Sequence, residues 1–271
     1  MKVVNRSVRV QLTRAQMYSM VGHQAATVQT VALGADNDGK LTGLRHDNVN
    51  PTSLFVDYVE YAALAGRHLW RASGGISTSH RVVRVNRNSP VVLRAPMEAQ
   101  GHFALESAMD ELAYATGVDP VELRLRNDTD TDPYSGRPFS TRALRECLTK
   151  GAARFGWDRR TPEPRSMRDG RYLVGQGVAA AIFTHWRWPA KARVTLNGNG
   201  SALVEAAAHD IGTGTYTVMA QVAADALGLA PDRVAVRLGD TRLPESHPAG
   251  HRISDSAQRN CRRHAGSTGR T

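Results

Sequence analysis

The 271-residue chain has few cysteines and no long apolar run. Its two cysteines, Cys147 and Cys261, stand in unlike surroundings, which excludes a disulfide framework and a four-thiolate metal site and favours a reducing compartment. No stretch of about 18 apolar residues occurs, so we expect no transmembrane helix. The first six residues lack the apolar segment of a signal peptide. These absences predict a cytoplasmic protein without membrane contact.

Several sequence motifs for catalysis or ligand binding are also missing. The sequence has no Walker phosphate loop, no Rossmann fingerprint, no H-E-x-x-H zinc motif and no G-x-S-x-G nucleophile elbow. Its ten histidines are scattered. We therefore expect no metal-ligand set made of this chain's own side chains.

Positive charge is in excess. Lys plus Arg number 35 and Asp plus Glu 25, a formal net charge of +10, and such an excess raises the question of nucleic-acid binding. Residues 241–271 hold six arginines and two acids, so +4 belongs to the tail and +6 to the first 240 residues. Because the remaining excess is modest, we rank nucleic-acid binding last and expect no such partner.

Apolar patterning predicts an α+β fold with mixed sheets and packed helices. Asp36-Asn37-Asp38-Gly39 is a hairpin turn, and the second strand of that hairpin is expected to end before Asn50-Pro51. The predicted strands are 7–12, 26–35, 40–49, 80–85, 172–183, 191–197, 201–209 and 233–238. The predicted helices are 14–20, 99–116, one starting at 119, 140–154 and one ending before Gly228, while 53–72 is ambiguous.

Apolar spacing also predicts which side chains are buried. On helix 99–116 the predicted buried face contains Phe103, Ala108, Met109, Leu112, Ala113 and Thr116. Cys147 falls on the apolar stripe of the third helix, where a small core residue is more usual than a nucleophile.

Two loops have residues suited to binding an anion. Gly212-Thr213-Gly214-Thr215 lies between a strand and a helix N-terminus, where backbone amides and the helix dipole favour phosphate. Arg94-Ala95-Pro96 precedes the long helix, and its guanidinium can reach an anionic group. The alternatives are an ordinary tight turn for the first loop and a solvated arginine for the second.

Two longer motifs lie between these loops in the sequence. Glu106-Ser107-Ala108-Met109-Asp110-Glu111-Leu112 is followed by Asp119-Pro120-Val121-Glu122-Leu123-Arg124-Leu125-Arg126-Asn127. Shorter pieces, from Val8-Arg9-Val10-Gln11-Leu12 to Asp210-Ile211-Gly212-Thr213-Gly214-Thr215, stand in the same order. With these motifs the chain resembles the molybdenum-cofactor-binding large subunit of the xanthine dehydrogenase and aldehyde oxidase family.

The resemblance implies a molybdenum–molybdopterin cofactor that oxidises aldehydes or N-heterocycles with water as the oxygen source. Electrons would leave through iron–sulfur clusters and FAD on partner subunits. By the same resemblance, Arg94, Ala95 and Pro96 would line the molybdenum site. The pterin or its phosphate would be held by Gly212, Thr213, Gly214 and Thr215, with Gln221 and Ser140 also facing the cofactor.

The chain departs from the family at several points. Met97 stands where the family usually has glycine. The glycine- and phenylalanine-rich segment before Val8, and the region after Thr241 that carries the catalytic glutamate, have no counterpart. The resemblance therefore predicts a fragment that is inactive alone, with no general base and no protein ligand to the metal. A non-catalytic cofactor- or subunit-binding remnant is the alternative.

These departures set the expected domain organisation. We expect two incomplete lobes, 1–157 and 172–245, joined by an exposed linker at 158–171. Residues 246–271 have no hydrophobic periodicity and predict a disordered tail. A one-nucleotide frame shift in a back-translation of 246–270 can yield a family-like continuation, so we expect an out-of-frame tail.

Overall fold

The computed structural model describes residues 8–183 and 189–245. Two compact units divide the chain, Met1–Phe183 and Thr184–Thr271. The first unit extends past the linker expected at 158–171, a stretch that holds part of the 3-10 helix Trp157–Arg159 and a short strand. The tail expected at 246–271 lies outside the described residues.

The first unit is a three-stranded mixed sheet with helices. Its main elements are α1 (Arg14–Met20), β1 (Val28–Ala35), β2 (Leu41–Thr52), α2 (Ala65–His68), β3 (Ile76–Arg84), α3 (Glu98–Thr116), α4 (Pro120–Arg126) and α5 (Leu144–Phe155). Two-residue strands, β4 (Arg168–Asp169) and β5 (Tyr172–Leu173), form a separate small hairpin. β1 pairs antiparallel with β2, and β2 pairs parallel with β3, which follows the helical segment 62–68.

The second unit repeats this topology on a smaller scale. β6 (Arg193–Leu196) pairs antiparallel with β7 (Ala202–Ala206), and β7 pairs parallel with β8 (Val234–Leu238) after the crossover helix α6 (Thr215–Leu227). Ala224 of α6 packs on Ala202, Val204 and Val234 of the sheet. The α+β fold with mixed sheets is therefore confirmed, and a hairpin followed by a parallel third strand occurs in both units.

Local sequence signals account for several helix ends. Thr13 and Gln16 form the expected capping box of α1, with Gln16 N–H donating to Thr13 Oγ1 at 3.3 Å. Asp119 caps α4 by accepting from Val121 N–H at 2.8 Å. Gly117 and Gly228 end α3 and α6 in the left-handed conformation.

Four strand predictions were wrong. The strand expected at 80–85 begins earlier, at Ile76, and ends at Arg84. Residues 8–12 form no strand. No described strand lies beside them, and an extended segment without a neighbouring strand gains no inter-strand hydrogen bonds. Strand 172–183 shrinks to Tyr172–Leu173. β2 continues through Pro51 to Thr52, because β1 pairs only as far as Val49 and a proline is tolerated where a strand has one neighbour.

Two burial predictions were also wrong. Phe103 is 77% exposed, because α3 buries the face that runs through His102, Leu105, Glu106 and Met109, and two of these four are polar. Cys147 is exposed, since Leu148 carries the buried side of α5. Among the described residues no helix is both long and apolar enough to cross a membrane.

Candidate functional site

The loop Arg94–Met97 is strained. Arg94, Ala95 and Met97 have φ values of 20°, 49° and 74°, in the region that favours glycine. Each such residue costs roughly 1–3 kcal/mol and persists only where its surroundings enforce it. Arg94 and Ala95 are exposed and Pro96 is half-buried, so the loop presents its guanidinium outward.

A row of polar side chains on β2 is buried in the same unit. His46, Asn48, Asn50 and Thr52 point to the same face and are at most 1% exposed. Asn48, Asn50 and Thr52 bind the backbone of the irregular segment 53–61, and His46 pairs with Gln29 of β1 at 2.8 Å. Asn50 accepts from Glu60 N–H at 3.0 Å, and Thr52 Oγ1 accepts from Tyr58 N–H at 2.9 Å.

This row fixes Glu60 near the start of α3. Asn48 Nδ2 donates to the Glu60 carbonyl at 2.6 Å, and Glu60 Oε2 accepts from Tyr58 OH at 3.1 Å. Burial raises the pKa of Glu60, and the Tyr58 hydroxyl and the nearby Met97 backbone N–H oppose that rise. Glu60 is therefore held by β2 and by Tyr58.

Electrostatics in this core favour neutral groups. Burial, with a smaller contribution from Glu60, raises the pKa of Glu98 to about 7. Burial lowers the pKa of His46 to about 4 and lowers the pKa values of His80 and His102. Ile182 N–H donates to His102 Nε2 at 3.3 Å, so the neutral ring carries its proton on Nδ1 and donates it to the Glu98 carbonyl.

A groove of about 670 Å³ runs between β1 and the first turns of α3. Gln29, Gln100 and Phe103 line it. Within the described residues, both polar atoms of the Gln100 side chain are buried without a hydrogen-bond partner. Orphaned polar atoms one turn from the Arg94 loop are consistent with a polar ligand at this end of the helix.

The second loop, Asp210–Thr215, leads into α6. Asp210 Oδ1 accepts from Gly212 N–H at 2.7 Å and from Thr213 N–H at 3.1 Å, which closes an Asx turn. Gly212 and Gly214 have φ values of 97° and 77°, which favour glycine at both positions. The amides of Gly212 and Thr213 are therefore engaged within the loop itself.

The N-terminus of α6 is open. Gly214 is its N-cap residue, and no side chain in the described part of the chain caps this end. The first N–H groups of a helix have no intrahelical acceptor, so those of Thr215, Tyr216 and Thr217 are directed out of the helix end. Together with the helix dipole they form a set of donors for an anion.

The remaining expected site residues lie at the surface. Gln221 is exposed one turn further along α6 and lines a groove of about 410 Å³ with Thr217 and Tyr216. Ser140 is exposed in the loop before α5. Arg94, Ala95, Pro96 and Ser140 belong to the first unit, and Gly212–Thr215 and Gln221 to the second, each described within its own unit.

Three buried residues of the long motifs, Glu106, Arg124 and Asn127, have structural roles. Glu106 receives Trp70 Nε1 at 2.7 Å on one oxygen, and Arg124 Nε and Ala180 N–H, both at 2.7 Å, on the other. Arg124, fully buried, also donates to Asp110 Oδ1 at 2.9 Å. Asn127 binds the turn before β2 through Leu41 N–H and the Gly39 carbonyl. These residues fasten α3, α4 and the hairpin together and stand in no open site.

Sequence reasoning missed Glu60 and Glu98. Glu60 lies in a stretch without clear periodicity, and only the tertiary fold brings it to Met97. The one available sequence signal was Met97, which stands where the family usually has glycine. A positive φ at that position is strained for any other residue. In residues 8–183 and 189–245, no group of three or more His, Cys, Asp or Glu side chains is placed to hold a metal ion.

Two profiles of protein families match the chain, and the second match begins within the first unit. A molybdopterin cofactor-binding domain matches residues 1–128, and a second molybdopterin cofactor-binding domain matches residues 150–259. The Arg94 loop lies in the first match and the α6 N-terminus in the second.

Curated proteins give the same result. The chain is 41% identical over 250 residues to the aldehyde oxidoreductase molybdenum-binding subunit PaoC of Escherichia coli K12, covering 92% of this chain and 34% of that protein. It is 32% identical to the xanthine dehydrogenase molybdenum-binding subunit of Escherichia coli O157:H7, covering 84% of this chain and 32% of that protein. The chain thus spans about a third of the length of these relatives.

Among solved structures, the aldehyde oxidoreductase from Desulfovibrio desulfuricans matches with a TM-score of 0.68 and 25% identity, over 84% of this chain and 26% of that one. Quinoline 2-oxidoreductase from Pseudomonas putida matches with a TM-score of 0.63 and 19% identity, over 84% of this chain and 32% of that one. At that lower identity the second match supports the fold alone.

Proposed function

The chain belongs to the family of molybdopterin-binding subunits of the xanthine dehydrogenase and aldehyde oxidase type, and on that premise we propose that it binds the pterin of a molybdenum cofactor. The open N-terminus of α6 is the observation that carries this proposal. Its outward N–H groups and dipole suit the phosphate of a pterin, and Gly212 and Gly214 shape the turn that leaves this end uncovered.

The Arg94 loop provides the second proposed contact. Its exposed guanidinium offers several donors to an anionic or carbonyl oxygen, and the enforced loop conformation limits how far it can move. The unpartnered Gln100 amide adds donors and an acceptor at the same end of α3. Ser140 and Gln221 are further proposed contacts. The described residues thus fit a polar, phosphate-bearing group.

When bound, the cofactor would supply the redox chemistry that oxidises an aldehyde or an N-heterocycle. Iron–sulfur and FAD subunits would accept the electrons. This chain's own proposed share is binding and orientation, and we assign it no general base. Asp210 is committed to two backbone amides, and Glu98 is buried behind the loop.

Local charge pairing disfavours nucleic acid as a partner. A phosphate-binding stripe needs arginines that face solvent without acidic neighbours. Several arginines in the described part of the chain pair with carboxylates, among them Arg84 with Asp57 at 2.8 Å and Arg142 with Asp128 at 2.8 Å. Retention on heparin that is weak at every salt concentration is the expected result.

Charge placed at the α6 N-terminus tests the proposal. Thr217→Glu puts a carboxylate in the first turn, where it favours the helix by about 0.3–1 kcal/mol but repels a phosphate. Val222→Glu places the same charge further along α6 at a 65% exposed position, so it is the matched control.

The readout is the pterin that co-purifies with the full chain, measured by fluorescence after oxidation and release. We expect Thr217→Glu to remove most of it and Val222→Glu to retain it. Equal pterin in both variants and the parent would reject the α6 N-terminus as the binding site.

A further inference from the structure

The two units differ in how the first strand of their sheet is covered. In the first unit the chain runs from β3 through the Arg94 loop into α3, and α3 packs on β1. Val31 and Leu33 of β1 are half-buried against the apolar cluster that contains Leu105 and Met109 of α3. The corresponding strand of the second unit is β6. Within residues 189–245, α6 packs on β7 and β8 instead, and no helix covers β6.

β6 consequently exposes apolar side chains on the face of the sheet that carries α6. Val194 and Leu196 are the register partners of Val204 and Ala202 on β7, so all four side chains point to the same face. Val204 and Ala202 are buried under α6, at 4% and 1% exposed. Val194 and Leu196 are 50% and 65% exposed. A helix over the outer strand is what the first unit has at this position and the described part of the second unit does not.

One flank of α6 continues this exposed surface. Thr217 and Gln221 line a groove together with strand β8, so they mark the flank of α6 toward β8. The opposite flank, toward β6, has apolar side chains at steps of three and four residues, of which Val222 is 65% exposed. With the two side chains of β6 they form the β6–α6 face, which consists of Val194, Leu196, Met219, Val222 and Ala226.

The charged side chains of the same sheet lie on its other face. Arg193, Glu205 and Arg237 are register partners across the three strands, one residue out of phase with Val194 and Val204. Glu205 pairs with Arg193 at 3.5 Å and with Arg237 at 2.5 Å. The β6–α6 face itself has no charged side chain, so it suits an apolar partner surface and not a nucleic acid or an acidic peptide.

We propose that the β6–α6 face is the docking surface for one amphipathic helix, the counterpart of α3, which a full-length subunit supplies from the sequence that follows β8. Chain order supports this occupant, because the covering helix of the first unit follows the third strand, and β8 is the third strand of the second. The chain spans 34% of the length of PaoC, so a subunit of that length has ample sequence for such a helix. Residues 246–271 contain a single large aliphatic residue, Ile253, too few for the apolar side of a helix.

A peptide supplied in trans tests the docking surface. The probe is the stretch of PaoC that follows its counterpart of β8, in a length equal to residues 85–116 of this chain, labelled with fluorescein. Its anisotropy is measured against increasing concentrations of the full 271-residue chain. We expect saturable binding to the parent and no binding of a scrambled peptide of the same composition.

Two variants place a charge in the surface on different elements. Val222→Glu on α6 and Leu196→Glu on β6 are each expected to weaken peptide binding roughly tenfold or more, because a carboxylate would lose its water against the apolar side of the helix. Both positions are 65% exposed, so the fold of the chain tolerates the change, and circular dichroism checks it. Thr217→Glu, on the flank toward β8, is the matched control and is expected to bind the peptide as the parent does.

The same variants separate this inference from the proposed cofactor role. Val222→Glu is expected to retain pterin and lose the peptide, and Thr217→Glu to do the reverse. A parent that binds the peptide without carrying pterin would reject the proposed function and leave the docking surface in place.

Three results would overturn the docking surface. The first is a parent chain that shows no saturable binding of the peptide. The second is equal binding by the parent, Val222→Glu and Leu196→Glu. The third is a dimer of the parent in gel filtration with light scattering that Val222→Glu dissociates, because the face would then be occupied by a second copy of this chain.

Discussion

Removing the Arg124 side chain is expected to destabilise the first unit strongly. Arg124 is fully buried and gives donors to Glu106, Asp110 and the Pro120 carbonyl. Arg124→Leu keeps the bulk of the side chain but leaves the Glu106 carboxylate, 5% exposed, with no cation beside it. Breaking a buried ion pair from one side costs about 3–5 kcal/mol.

That loss is large against the stability of a typical domain, about 5–15 kcal/mol. With a urea dependence of roughly 1–3 kcal/mol per M, the unfolding midpoint is expected to fall by on the order of 1–2 M or more. Trp70 donates to Glu106, so tryptophan fluorescence together with circular dichroism follows the relevant transition.

Lys150→Ala is the matched control. Lys150 pairs with Glu146 at 3.4 Å, but both side chains are more than two-thirds exposed, and such pairs contribute at most about 1 kcal/mol. The control midpoint is expected to stay near that of the parent. If Arg124→Leu unfolds no more easily than Lys150→Ala, the buried network does not hold α3 and α4 together as described.

Three further changes test the same region by urea unfolding. Met97→Gly is expected to stabilise the chain by about 1 kcal/mol, because glycine accepts φ 74° without strain, and a loss of stability would show that the Met97 side chain is needed. Gly101→Ala is expected to cost roughly 1–3 kcal/mol through its clash with Ala62, whereas Gly151→Ala, with open space around it, is expected to cost nothing. Glu98→Gln is expected to be more stable than the parent at pH 9 but not at pH 5: the folded pKa of about 7 exceeds the unfolded value, so the parent loses stability as pH rises through 7. A difference that is the same at both pH values would contradict this.

The sequence was informative where local chemistry determines structure. The Asp36–Gly39 turn, the Thr13 capping box, the Asp119 cap and the glycine stops of α3 and α6 depend on residues a few positions apart, and each prediction was confirmed. The strand at 8–12 failed for the opposite reason. A strand needs a partner, and alternation alone does not provide one.

Polar burial was the main feature that the sequence did not reveal. Hydrophobic spacing predicted Phe103 on the buried face of α3. His102 and Glu106 are buried instead, because the fold supplies hydrogen-bond partners for their polar atoms. The polar row of β2 has the same origin. Its side chains are buried because they hydrogen-bond the backbone of residues 56–60, and no pattern within β2 indicates that partner.

The candidate site was predictable in part. Gly212–Thr215 was predicted to precede a helix, and α6 begins there, but the engagement of two of its amides by Asp210 follows from the folded loop. The backbone strain at Arg94–Met97 follows from the folded loop and could not be predicted from the sequence. The domain boundaries and the individual cofactor contacts stay predictions.

The central claim is that this chain binds a molybdopterin. The most direct test is to produce the full chain in a host that makes the cofactor and to determine the molar ratio of pterin to protein after gel filtration. The account predicts a ratio close to one for the parent and a strongly reduced ratio for Thr217→Glu. A parent chain that carries no more pterin than an unrelated protein from the same host would contradict it.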